Sequence, residues 1–133
     1  MKNQTIALII FFLLTFSYAS QAEKSIKHKI VEDIVTSEEA IQVFNETTAQ
    51  LKTKTSLDEA ELNDVHMITY SLEKAVAYFV ENSSGDQRDD AEKMAELVEL
   101  VHIASENNRK DETKVNLASY FSLASEFETE LLP

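Results

Sequence analysis

His66 and His102 are two of only three histidines in a chain of 133 residues, and carboxylates stand near both at helical spacing. Glu99 lies three residues before His102 and Glu106 four after it, so within one helical turn on either side a carboxylate shares its face. Imidazole and carboxylate groups offered from facing helices are the donor set with which helical bundles hold zinc, copper or iron. His66, His102, Glu99 and Glu106 are therefore the candidate metal ligands, and copper or zinc the candidate ion. A carboxylate-bridged di-iron centre would need two Glu-x-x-His motifs. Asn63, not a glutamate, precedes His66 by three residues, so di-iron oxidase chemistry is excluded. The competing reading of the pair is structural: each histidine is a partly buried polar group at a core boundary, hydrogen-bonded to Glu73, Glu99 or Glu106. His28, within IKHKI, is either an exposed polar residue among lysines or a third ligand from a segment folded over the rest.

The stretch Asn82-Ser83-Ser84-Gly85-Asp86 is the strongest turn signal in the chain and contains its single glycine. With Ser84-Gly85 at the tip of an antiparallel helical hairpin, His66 and His102 are equidistant from Ser84, each about 27 Å away at 1.5 Å per residue. They then sit at one height. Each lies on the flank of its helix's apolar stripe, His66 beside Leu62, Thr69 and Glu73, and His102 beside Ala95, Val98 and Glu106. The two rings either face each other across the seam or both turn toward the outer helices, and the handedness of the bundle decides which. Met67 and Tyr70 fall outside the stripe and are expected to point outward, toward the N-terminal segment or a partner.

Helices able to position these residues are legible as one repeated grammar: a Ser, Thr or Asp cap, acids in the first turn, then apolar residues three and four apart. Thr36-Ser37-Glu38-Glu39 opens a first helix with Ala40, Ile41, Phe44, Thr48 and Leu51 inward, ending near Lys54. Ser56-Leu57-Asp58-Glu59 opens the longest, lined by Leu62, Val65, Ile68, Leu72, Val76, Phe79 and Val80. The third carries Ala91, Met94, Ala95, Leu97, Val98, Val101 and Ala104 until Asn107-Asn108 break it. From Asp111 a fourth presents Leu117, Tyr120, Phe121, Ala124, Phe127 and Leu131. Four amphipathic helices with short connections predict an all-α, up-down-up-down four-helix bundle over residues 36–133. One glycine and one proline leave too few turn residues for a fold of many strands.

Ahead of the bundle, residues 23–35 have no helical stripe and read as an irregular lead-in. Residues 1–22 have the order of a secretory signal peptide: Lys2, an apolar run from Ile6 to Phe16, then the small-x-small site Ser20-Gln21-Ala22. That run, at about 1.5 Å per residue, is too short for a hydrocarbon core of roughly 30 Å. The mature protein is expected to begin at Glu23, with cleavage after Ala19 as the rival, and to work in the periplasm. Loss of Lys2 takes the formal net charge from −12 to −13. Such a surface repels nucleic acid and anionic membrane and suits a cation or a basic partner. The absence of cysteine excludes disulfides, thiol chemistry and c-type haem attachment. No glycine-rich phosphate loop, G-x-S-x-G or H-E-x-x-H occurs, so the chain is expected to be a binding module and not an enzyme. The alternative is a cofactor-free acidic protein that meets a periplasmic protein partner or serves a structural role.

The ordered blocks IKHKIVEDIVTSEEAI, DVHMITYSLEKA and ELVHIASE resemble a family of small exported proteobacterial proteins catalogued as a domain of unknown function. The matching positions are His28, Thr36, Glu38, Glu39 and Ala40, then Val65, His66, Thr69, Tyr70, Leu72 and Glu73. The third block contributes Glu99, Val101, His102, Ala104, Ser105 and Glu106. Met67-Ile68 departs from the family pattern, which has a polar residue and a leucine there. The resemblance implies an exported helical protein with no assigned activity. A looser similarity is to the periplasmic b-type four-helix cytochromes, which ligate haem through a methionine on the first helix and a histidine on the last. Neither residue is present at those places here, which makes haem the weaker cofactor candidate.

Overall fold

A computed structural model describes residues 32–131. The expected signal peptide and cleavage site, His28 and most of the expected lead-in lie outside the described residues. Four helices follow in chain order: α1 (Ser37–Lys52), α2 (Glu59–Asn82), α3 (Gly85–Glu106) and α4 (Lys110–Leu131). Connections of a few residues force each helix to run antiparallel to the one before it. Each packs chiefly on its chain neighbours, and α1 meets α4 only lightly. Among the described residues no strand occurs, and no helix is long and apolar enough to cross a membrane.

The caps explain where the helices begin. Thr36 accepts the backbone N–H of Glu39 at 3.2 Å, as its position in the sequence requires. At α2 the cap differs from expectation. Asp58, not Ser56, is the capping residue: its carboxylate accepts the Glu61 N–H at 2.9 Å, which holds the Asp58 carboxyl below its usual range. Glu61 reaches back to accept the N–H groups of Ser56 and Leu57 at 2.9 and 2.8 Å. This arrangement requires Leu57 to adopt a left-handed φ of 46°. Leu57 and Leu62 are both buried at the spacing of a hydrophobic staple, and that burial offsets the backbone strain.

Gly85 (φ 58°) makes the left-handed turn into α3 without a Cβ penalty. At the other end of α3, Asn108 (φ 54°) takes the same conformation. Its N–H reaches Ser105 O at 3.1 Å and that of Arg109 reaches Ala104 O at 2.9 Å, the paired bonds of a Schellman termination.

The core follows the four stripes. Phe44, Leu51, Val65, Leu72, Val76, Met94, Val98, Val101, Tyr120 and Phe127 are all buried, whereas Ile41, Ile68, Val80, Ala95, Leu97, Phe121 and Leu131 pack at its edge. The α1–α4 seam closes through large side chains. Phe44 and Phe127 meet edge-to-face at 5.9 Å, and Thr48 shares a buried 2.6 Å hydrogen bond with Tyr120. Bulky rings in this seam hold the two backbones apart, which accounts for the thin contact between α1 and α4.

Candidate metal centre

The hairpin α2–α3 sets His66 and His102 opposite each other across the seam. Their rings meet edge-to-face, 4.7 Å between centroids with an interplanar angle of 83°. Of the two orientations open to level residues, the bundle adopts the facing one. His66 is more than a boundary residue, being only 2% exposed, while the His102 side chain is 12% exposed.

Thr69 decides which face of its hydroxyl His102 Nδ1 meets. Its hydroxyl has one hydrogen, which it donates to the His66 carbonyl at 2.7 Å, so its oxygen accepts from His102 Nδ1 at 2.9 Å. Glu73 Oε1, 3.0 Å from the same Nδ1, also favours a proton there. With its proton on Nδ1, a neutral His102 would coordinate through Nε2. A hydroxyl or carboxylate holding the far ring nitrogen is the usual support of a metal-binding histidine.

Tyr70 is found inside this group and does not point outward. Its ring stacks edge-to-face on His102 at 4.9 Å, and its Oη lies 3.2 Å from His66 Nε2. The reason is simple helical geometry: four residues after His66, Tyr70 is rotated by only about 40° from it and faces the same neighbour, α3. Met67 turns the other way and lines a groove between α1 and α2 with Val43, Thr47 and Ile68.

Among the described residues, His66, His102 and Glu106 form the one trio of such donors whose ligand atoms all come within 4.8 Å of one another. Glu106 is half-buried at its edge. Glu99 stands on the exposed face of α3 outside the trio. A cleft of about 660 Å³, lined by Glu59, Ala60, Asn63, His66, Ser105, Glu106 and Asn108, opens beside two of the trio, His66 and Glu106.

The electrostatics of this corner are negative. Burial pushes the Glu73 carboxyl above its usual range, with His102 pulling it down and Glu99 pushing it further up. The Tyr70 phenol is raised by burial and then by the charges of Glu106 and Glu73. Glu73 Oε1 is shielded from solvent and lies 3.0 Å from His102 Nδ1, beside the Thr69 hydroxyl that faces the same nitrogen at 2.9 Å. The donor types and their spacing fit a bound cation.

The structure brings together three of the four residues chosen from the sequence, His66, His102 and Glu106, and adds Thr69, to which no role was assigned, and Tyr70, expected to point outward. A usable signal was present: His66, Thr69, Tyr70 and Glu73 follow the i, i+3, i+4, i+7 spacing, a polar stripe on the helix face beside the core. No curated protein and no solved structure matches the chain. The family of unknown function DUF6746 matches residues 1–129, nearly the whole sequence, and the chain belongs to that family.

Proposed function

We propose that this protein is an exported binding module that holds a transition-metal ion, copper or zinc, through His66, His102 and Glu106. The observation that carries the reading is the convergence of two facing imidazoles and a carboxylate, with Thr69 and Glu73 already holding the far nitrogen of His102. Export rests on the leader-like order of residues 1–22, and binding in preference to turnover rests on the lack of a catalytic motif. The excess of acids supports a cationic ligand and disfavours nucleic acid.

The test uses the mature chain, purified from the periplasm without tag or chelator. Elemental analysis is expected to find stoichiometric metal. After stripping, Cu²⁺ or Zn²⁺ at a hundred times its dissociation constant stabilises the protein by about 2.7 kcal/mol. His66→Ala and His102→Ala each abolish that increment, read as the difference in thermal unfolding with and without metal. An equal increment in wild type and both variants overturns the site. Sequencing the N-terminus of the periplasmic protein checks for Glu23; a chain still beginning at Met1 overturns the cleavage.

A second reading has one observation in its favour. Leu100 and Ile103 on α3 and Val115 on α4 are 48%, 40% and 65% exposed, which suits contact with a protein partner. On that reading the purified protein takes up no metal.

A further inference from the structure

Resting on the metal reading above, we propose that Tyr70 supplies the fourth donor, so that the centre is built from His66, His102, Glu106 and the Tyr70 phenol oxygen. Three protein ligands leave one position of a four-coordinate ion to be filled. Metal–ligand bonds of 2.0–2.1 Å place adjacent donors of a tetrahedral ion about 3.3 Å apart. Tyr70 Oη and His66 Nε2 are 3.2 Å apart, so they span one edge of such a tetrahedron with almost no movement. The remaining donors, separated by up to 4.8 Å, draw inward as the ion binds.

Tyr70 is also held in place. Its ring packs on both imidazoles, at 4.9 Å from His102 and 5.2 Å from His66. On coordination the phenol O–H bond would break, its oxygen binding the ion and its proton leaving to solvent. Two imidazoles with two anionic oxygens favour an oxidised, oxygen-accepting ion. Zn²⁺ and Cu²⁺ both meet that description; the tetrahedral edge matches Zn²⁺, while Cu²⁺ binds a given N/O set more tightly and reports a phenolate ligand by its colour.

The experiment is a titration of the stripped mature protein with Cu²⁺ alone, followed by visible absorption and calorimetry, in wild type and Tyr70→Phe. The phenylalanine keeps the ring and removes only the oxygen. Wild type is expected to develop a phenolate-to-copper charge-transfer band at one equivalent. Tyr70→Phe is expected to lose the band and at least about tenfold in affinity, the lower end of what even outer-shell partners contribute. Copper bound by wild type without such a band, or bound equally by the variant, overturns the fourth donor and leaves the three-ligand site standing. Failure of wild type to bind either Cu²⁺ or Zn²⁺ overturns the metal reading itself. The wild-type band is read without the variant, so the proposal is decided even where Tyr70→Phe folds poorly.

Discussion

Two ring triads occupy this bundle, and they share a packing geometry but not a chemistry. Phe44, Phe79 and Phe127, from α1, α2 and α4, meet at centroid distances of 5.8, 5.9 and 5.2 Å with steep interplanar angles. His66, Tyr70 and His102, from α2 and α3, meet at 5.2, 4.7 and 4.9 Å, two of the three contacts nearly perpendicular. In both, the ring quadrupole favours an edge against a face. The difference lies in the heteroatoms. Phenylalanine asks only for burial, so its triad sits in the sealed end of the core. Imidazole and phenol bring nitrogen and oxygen atoms that need partners, so theirs lies at a seam with Thr69, Glu73 and Glu106 around it and a cleft beside it. One triad holds the fold together, and the other carries donor atoms on which the metal proposal rests.

Breaking the phenylalanine triad should give the largest effect. Phe44→Ala removes a fully buried ring that touches both partners and is expected to lower stability by about 3–5 kcal/mol. The metal-induced increment in the molecules that remain folded should be unchanged. Chemical denaturation with and without Cu²⁺ measures both quantities, and a lost increment would show that the triads are not independent.

Thr69→Val sharpens the contrast from the polar side. It preserves shape at α2 while removing the oxygen that receives the His102 proton, and it should weaken metal binding by about tenfold or more. Calorimetric titration decides: unchanged affinity would mean that Glu73 alone orients the ring.

The mildest effect is expected at alkaline pH, where Tyr120 tests the apolar end. Burial raises its phenol well above the ordinary value of 10.0, with the Thr48 bond opposing. The folded pKa exceeds the unfolded one, so this contribution is intact below about pH 10 and is lost as pH rises beyond it. Urea midpoints measured from about pH 9 to 11 should fall more steeply in wild type than in Tyr120→Phe. Parallel profiles would show that ionisation of Tyr120 is not coupled to unfolding.

Periodicity and punctuation determined most of this protein. Helix number, the inward residues of each stripe, the Thr36 cap and the turn at Gly85 all follow from interactions between residues a few positions apart. The level placement of His66 and His102 follows too, because a hairpin with a known tip sets height by counting at a constant rise per residue. Local rules were weaker where two caps competed. Ser56 and Asp58 are both good capping residues, and Asp58 prevails because it allows Leu57 to bury its side chain beside Leu62. Rotation about the helix axes was decided only by the tertiary structure. Which flank of α2 turns toward α3 depends on how all four helices pack together. That choice makes the two imidazoles face each other, brings Tyr70 against both, and leaves Glu99 outside while Glu106 comes in.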